Sequence, residues 1–256
     1  MSTSADPELN PGNDTPQPTR RFGCTFWLIL AGMGFVGVLF LLSEVFRDSH
    51  PATRRLACKG NLKQIGLALL NYHDDFDAFP PAYTVDVNGK PLHSWRTLIL
   101  PYLDQLPLYN SIDLTKPWDD PVNSEFRELS LPVYRCPSLP SRDCPTNHTN
   151  YLASVAPNGF FRPTEPRQQS EITDGLANTL AVVEVPFDHS VPWMSPQDAD
   201  EALVLLSIGP NPKLVHTGGQ HSLLGDGAVR FLSEKLPTAT RRALISIDGG
   251  DDAHGF

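Results

Sequence analysis

The chain has 256 residues, of which 40% are apolar and 19% are charged, and its formal net charge is −9. No run of Lys or Arg is long enough to follow a nucleic-acid backbone, so the composition argues against nucleic-acid binding. The acidic balance mainly favours solubility. The 25 prolines predict a loop-rich domain rather than a compact helical bundle.

The N-terminal part of the chain predicts a leader followed by one membrane span. Residues 1–21 are rich in Pro, Asn, Asp, Ser and Thr, and we predict that they are disordered. Residues 22–43 carry no charge and match the thickness of a bilayer core. No A-x-A-like cleavage site follows them, so we predict an uncleaved transmembrane helix. The remainder is long enough for one globular domain, 44–247, with a flexible Gly- and Asp-rich tail, 248–256.

Arginines flank both ends of the predicted span, so the distribution of positive charge does not decide its orientation in the membrane. The four cysteines supply the evidence for the orientation instead. None of Cys24, Cys58, Cys136 and Cys144 forms a C-x-x-C pair, which disfavours a structural zinc site or a thioredoxin-like motif. An exported domain would hold one disulfide and one spare thiol. The candidate pairs are Cys58–Cys136 and Cys136–Cys144. The cysteines therefore favour a domain outside the cytoplasm.

The clearest periodic pattern predicts a helix over residues 52–75. Its apolar side chains step by three and four, which marks one buried face; they are Leu62, Ile65, Leu69, Tyr72 and Phe76. We expect this stripe to pack on the core of the domain.

The rest of the chain predicts short elements separated by turns. Residues 94–103 suit a short helix or a strand ended by Pro101. Strands are predicted over 133–135, 150–155, 179–185 and the apolar run 202–208. Residues 223–232 predict a hairpin with Asp226-Gly227 at its turn. Residues 237–247 predict a closing helix with Thr238 as its N-cap.

Several sequence blocks together resemble a large bacterial family of unknown function with a prepilin-type N-terminus and a C-terminal H-x9-DG motif. They are CKGNLKQIGLALLNYHDDFDAFPPA (58–82), SWRTLILPYLDQLPLY (94–109), PWDDPVN (117–123), YRCPS (134–138), TNY (149–151), ITDGLANT (172–179) and HTGGQHSLLGDGAVRFL (216–232). His216, nine intervening residues and Asp226-Gly227 fit that motif.

The resemblance implies an α+β, pilin-like or pseudopilin-like architecture. An N-terminal helix would lie half in the bacterial cell membrane and half on an antiparallel sheet, with the head in the periplasm or outside the cell. The family has no established catalytic activity, and some of its labels suggest solute binding.

The leader of this chain departs from the prepilin pattern. A prepilin leader ends in Gly followed by Phe-Thr-Leu, whereas residues 21–26 here read RFGCTF. No Glu lies early in the apolar run, and the first acidic residue after it begins is Glu44. Leader processing and filament assembly therefore do not follow from the resemblance.

The dipeptides Asp174-Gly175 and Asp226-Gly227 are compatible with both a structural role and a metal-binding role. We favour the structural one, in which Asp226-Gly227 forms a tight turn and His216 bonds a neighbouring loop. In the alternative, oxygen and imidazole ligands gather around Ca²⁺, a cation held by some pseudopilin heads. That candidate set is Asp174, Asn178, Glu184, His216 and Asp226.

No hydrolase or nucleotide-binding motif occurs in the sequence: G-x-S-x-G, H-E-x-x-H and the P-loop are all absent. We therefore expect no catalytic activity and no resident cofactor. The leading hypothesis is a membrane-anchored structural protein that works through protein partners or self-assembly. The alternative is a tethered solute- or carbohydrate-binding module, for which Trp95, Trp118 and Trp193 would form an aromatic face.

Overall fold

The computed structural model describes Met33 and residues 51–140, 142, 144–211 and 213–250. The elements below belong to the second of the two units of the chain, His50–Phe256. The predicted leader, the predicted span except Met33, and residues 251–256 lie outside the described residues. Within the described part, no helix is both long enough and apolar enough to cross a bilayer.

The elements of the first half are mostly helical. Helix α1 is Pro51–Phe76, and the strands β1 (Tyr83–Val85) and β2 (Pro91–Ser94) follow it. Then come α2 (Trp95–Leu98), the 3-10 helix Leu100–Leu103, α3 (Leu106–Ser111), the 3-10 helix Pro121–Asn123, α4 (Ser124–Arg127) and the 3-10 helix Pro132–Tyr134.

The second half contains the main sheet. Its strands and helices are β3 (His148–Thr149), β4 (Tyr151–Ala153), β5 (Leu180–Glu184), β6 (Val191–Pro192), α5 (Glu201–Ser207), β7 (Gly219–Leu224), β8 (Val229–Ser233) and α6 (Thr238–Ala243). Short 3-10 helices lie at Gln169–Glu171, Leu176–Asn178 and Phe187–His189.

Helix α1 buries the face that its periodicity predicts. Cys58, Leu62, Ile65 and Leu69 are all buried in the core. Two predicted members of the stripe differ, because the helix passes beyond the core near its end: Tyr72 is half-buried and Phe76 is exposed. The helix prediction over 52–75 is confirmed.

The main sheet is antiparallel, with the strand order β4-β5-β7-β8. Two further antiparallel pairs, β1-β2 and β3-β6, extend the domain. All residues of β5 and β7 are buried, because helices cover both faces of the sheet. The architecture is α+β, as the sequence predicts.

Two apolar clusters lie on opposite faces of the sheet. Val182 and Leu223 are register partners that pack in the cluster with α1. Leu180 and Leu224 are also partners, and they pack in the second cluster with α5 and α6. The register shifts between Leu180 and Val182, and Ala181 consequently packs on the same side as Val182.

Two predicted strands are helical in the structure. Residues 202–207 fall in α5 and Ile208 is its C-cap. The helix starts here because the Asp200 carboxylate accepts a hydrogen bond from the Leu203 backbone N–H at 2.8 Å and caps it. Residues 133–135 follow Pro132 into a 3-10 turn, where the Tyr134 N–H bonds back to Leu131. Short apolar runs such as these do not distinguish strand from helix by periodicity.

The other local predictions fare better. Residues 95–98 and 100–103 are helical. The strands near 150–155 and 179–185 form as β4 and β5, and the Asp-Gly hairpin forms as β7 and β8. The closing helix is α6, but its N-cap is Pro237 and not Thr238, which is already helical.

Arg96 is fully buried and joins three separate segments. Its guanidinium forms an ion pair with Asp198 at 2.8 Å. The remaining N–H groups donate to four backbone carbonyls, those of Tyr151, Trp193, Ser195 and Gln197. A buried charge is tolerated only when it is paired and bonded in this way. Arg96 therefore fixes α2 against β4 and the 193–198 loop.

Two glycines on α1 give a matched test of how closely this helix approaches the sheet. A Cβ at Gly66 would lie 2.7 Å from Leu223 Cδ1 and 3.1 Å from Gly227 Cα, whereas a Cβ at Gly60 would meet no atom within 4 Å. We expect Gly66→Ala to lower the free energy of unfolding by about 1–3 kcal/mol. We expect Gly60→Ala to raise it by about 0.5–1 kcal/mol through helix propensity. Urea unfolding of both variants measures the difference, and equal effects would contradict this packing.

Candidate functional site

The strand β7 joins the two ends of the H-x9-DG motif. His216 lies just before the strand, and Asp226-Gly227 forms the turn just after it. Gly219, where the strand starts, has φ +149, and a Cβ there would lie only 2.0 Å from the Leu232 carbonyl oxygen. The close pairing of β7 with β8 therefore requires glycine at this position.

The Asp-Gly turn contacts helix α1. The Asp226 carboxylate accepts a hydrogen bond from the Ala228 N–H at 2.8 Å, and Gly227 adopts φ +78. The Gly227 carbonyl oxygen accepts from Lys63 Nζ at 2.8 Å. Asp226-Gly227 thus forms a tight turn, and this turn contacts the middle of α1.

His216 lies in a buried polar cluster rather than against a surface loop. Its Nε2 is 3.6 Å from Cys136 Sγ and 3.5 Å from Glu184 Oε2. Cys136 is bonded to Cys58 of α1, and the Cα atoms of this disulfide are 5.0 Å apart. The side chains of Glu184 and His216 are 0% and 2% exposed. We call Cys58, Cys136, Glu184 and His216 the buried cluster.

A second histidine, His221, approaches the same carboxylate. Its backbone N–H donates to Glu184 Oε2 at 2.9 Å, and its Nδ1 lies 3.6 Å from the same oxygen. Burial by itself would raise the pKa of Glu184, but the hydrogen bonds and charges of His216 and His221 outweigh burial and lower the pKa below its ordinary value of 4.5. Glu184 is thus held as a carboxylate inside the core.

Of the predicted metal ligands, the structure brings only Glu184 and His216 into the buried cluster. The ligand atoms of this cluster all lie within 4.8 Å of one another. The Asp174 carboxylate instead accepts from the N–H groups of Gly249 and Gly250. Asn178 donates to the Asp174 carbonyl oxygen, and Asp226 caps its own hairpin. Of the described residues, the buried cluster is the only group of three or more His, Cys, Asp and Glu side chains with metal-ligand spacing.

Sequence reasoning missed three participants in this site. Cys58 and Cys136 were considered only as a disulfide pair, and His221 was not singled out. The spacing of His221 from His216 carries no standard metal motif, so no local signal identified it. The third cysteine of the domain, Cys144, is free and buried, and its thiol donates to the Phe187 carbonyl oxygen at 3.3 Å.

The tryptophans do not form an open aromatic face. Trp95 and Trp193 are 0% and 1% exposed, and Tyr134 stacks on Trp193 with ring centroids 6.0 Å apart. Trp118 is partly buried against the same core. Core packing explains Trp95 and Trp193.

The exposed side of α1 carries apolar side chains in a line. Leu56 and Leu67 are 69% and 60% exposed, and eleven residues place them within about 20° of each other around the helix. Beside Leu67 lies a shallow groove of about 430 Å³, lined by Lys63, Gln64, Leu67, Leu70, Asp226 and Gly227. We call Leu56, Lys63, Leu67 and Leu70 the outer face of α1.

The fold and the site define a class: an α+β domain whose first long helix is fastened to an antiparallel sheet by a disulfide and a hairpin turn. A family model described as "Protein of unknown function (DUF1559)", with the short name SBP_bac_10, matches residues 49–204. The chain belongs to this family. Neither the curated proteins nor the solved structures compared with the chain include a match.

The charge of Glu184 can be tested with an isosteric substitution. Glu184→Gln keeps an oxygen that accepts from the His221 N–H but removes the negative charge that faces His216 and His221. We expect the free energy of unfolding to fall by about 1–3 kcal/mol, because the partners of a buried charge are left uncompensated. The control Glu125→Gln, at an exposed site, should change it by less than about 0.5 kcal/mol. Equal effects of the two variants in urea unfolding would contradict this account.

Proposed function

We propose that the chain is a membrane-anchored, extracytoplasmic protein of pseudopilin-like plan that works through protein–protein contacts. Residues 22–43 would anchor it in the bacterial cell membrane in a single pass. The outer face of α1 would bind neighbouring copies or partner proteins. The observation that carries this proposal is the pair of exposed leucines, Leu56 and Leu67, on a helix whose opposite face is buried.

The outer face has the properties of a contact surface. Leu56 and Leu67 expose their apolar side chains on the same side of the helix, where a partner could cover them. The groove at Leu67 and Gly227 supplies a concave complement for an incoming side chain. Helix α1 begins at Pro51, shortly after the predicted span in the sequence.

The compartment is supported by the cysteine chemistry. Disulfides persist in oxidising compartments such as the periplasm and are rare in the cytosol. Cys58 and Cys136 are paired across 78 residues of sequence, so the bond belongs to the tertiary fold. An extracytoplasmic head accounts for this pairing.

The proposal assigns no catalytic activity to the chain. Glu184, whose pKa is lowered by His216 and His221, has a side chain that is 0% exposed. A catalytic group must reach a substrate, which a closed core of this kind does not permit without rearrangement.

Solute binding is the second candidate. It is favoured by the short name of the family model and by the groove of about 430 Å³ beside Gly227. The carbohydrate version of this candidate loses its aromatic basis, because Trp95 and Trp193 lie in the core.

Site-specific photocrosslinking in intact cells tests the outer face. A photoreactive amino acid at Leu67 should give a crosslinked product, because that side chain would contact a neighbouring molecule. The control position is Val87, which is 101% exposed but lies on the turn between β1 and β2. Adding Leu56→Glu should reduce the product at position 67 several-fold, since a charge would be buried in the contact.

Immunoblots of the irradiated cells distinguish the outcomes. A product at twice the 28.2 kDa of the chain means self-assembly, and another mass means a different partner. Equal crosslinking at positions 67 and 87, or none at 67, would contradict the proposal. Retention of a small molecule by the purified protein, lost on Leu67→Glu, would favour solute binding instead.

A further inference from the structure

The buried cluster contains four side chains of the types that bind zinc. Cys58 comes from α1, Cys136 follows the 3-10 helix Pro132–Tyr134, Glu184 ends β5, and His216 precedes β7. Their ligand atoms all lie within 4.8 Å of one another, and all four residues are buried. The cluster joins four segments that are distant in the sequence, as a closed structural zinc site does.

We propose that Cys58, Cys136, Glu184 and His216 form a closed Zn²⁺ site when the disulfide is reduced, so that this core has a disulfide form and a zinc form. The two forms would link α1 to the rest of the domain in the same place. In the disulfide form the link is the S–S bond, and in the zinc form it is the metal.

The spacing of the ligand atoms fits tetrahedral zinc. Zinc bonds of 2.0–2.3 Å at tetrahedral angles place neighbouring ligand atoms about 3.3–3.8 Å apart. His216 Nε2 lies 3.6 Å from Cys136 Sγ and 3.5 Å from Glu184 Oε2. His216 is therefore already at the required separation from two of the other ligands. The remaining ligand atoms lie within 4.8 Å of one another, and the two sulfurs would move apart to about 3.8 Å once their bond is broken.

Glu184 supplies an independent indication that the cluster suits a cation. Its Oε1 atom is buried and has no hydrogen-bond partner among the described residues. A buried carboxylate with an open coordination position is costly unless a cation or a donor satisfies it. The other oxygen, Oε2, is the one that lies 3.5 Å from His216 Nε2. The His221 backbone N–H donates to it at 2.9 Å and orients the carboxylate, as supporting bonds do at metal sites.

The conversion balances with a dithiol or phosphine as reductant. The reductant supplies two electrons, the Cys58–Cys136 bond breaks, and two protons complete the two thiols while the reductant is oxidised. Zn²⁺ then displaces both thiol protons into solvent and binds two thiolates, neutral His216 and ionised Glu184. In reverse, a disulfide-class oxidant takes two electrons from the thiolates, the S–S bond forms and Zn²⁺ leaves.

Because all four residues are buried, the disulfide form or the zinc form would have to be established before folding is complete. Cys58 and Cys136 are both 0% exposed, so neither a reductant nor a metal ion reaches them in the folded domain. Zinc would therefore enter while the chain folds, when the ligands are still accessible, as happens in proteins whose metal binding is coupled to folding.

Refolding of the full-length chain in detergent tests this inference. The protein is unfolded with a phosphine reductant and refolded without oxygen in the presence of ZnCl₂, or of Co²⁺ as an optical probe. We expect one metal per chain after removal of free ions, and a tetrahedral Co²⁺ spectrum with thiolate charge-transfer bands. The oxidised protein, unfolded without reductant and refolded with the same metal ion, should retain no metal.

Variants identify the ligands. Glu184→Gln and His216→Asn should each weaken Zn²⁺ binding at least ten-fold, measured by competition with a chromophoric chelator. Cys144→Ser should leave it unchanged, because Cys144 is buried elsewhere and contacts Phe187. Circular dichroism of each variant checks its fold.

Three results would overturn the inference. One is a reduced wild-type chain that refolds and retains no Zn²⁺. Another is a Co²⁺ spectrum without thiolate bands, which decides the matter even if the variants do not fold. The third is unchanged affinity in both Glu184→Gln and His216→Asn, which would place any bound zinc elsewhere.

Discussion

The attachment of helix α1 to the sheet is the constraint on which the rest of this structure depends. The disulfide joins Cys58 to Cys136 across 78 residues of sequence, and closing a loop of that length stabilises the fold by roughly 4 kcal/mol in the chain-entropy account. Two turns further on, Gly66 lets the backbone of α1 approach Gly227 closely. With its inner face held at both points, the helix is left with a single free side. The exposed position of Leu56 and Leu67 follows from this attachment.

The H-x9-DG motif acquires a physical meaning from the same arrangement. Its histidine lies beside the disulfide, and its Asp-Gly turn lies beneath the middle of α1. The nine intervening residues contain β7 and its entry, which connect these two contacts. The buried side chains of Arg96 and Glu184 form the polar contacts that hold the neighbouring loops against the helix and the sheet.

Sequence patterns predicted the parts of the fold that are decided locally. The stripe of Leu62, Ile65 and Leu69 identified α1, and Asp226-Gly227 identified the hairpin. Residues 202–208 were assigned wrongly, because the capping carboxylate of Asp200 outweighs the strand-like apolar run. At the site, the sequence identifies Glu184 and His216 as candidate metal ligands. It does not identify Cys58, Cys136 and His221 as their neighbours. Cys136 and His216 are 80 residues apart, and nothing in local spacing indicates that the fold brings them together.

The state of the disulfide in living cells tests the central claim most directly, because both the attachment of α1 and the location of the head depend on it. Cells producing the chain at its native level are quenched in acid, and free thiols are alkylated in denaturant. The remaining cysteines are then reduced and labelled with a second reagent, and the peptides are quantified by mass spectrometry. The account predicts the first label on Cys144 and the second label on Cys58 and Cys136. The first label on Cys58 and Cys136 in most molecules would contradict it, because the head would then be reduced in its native compartment.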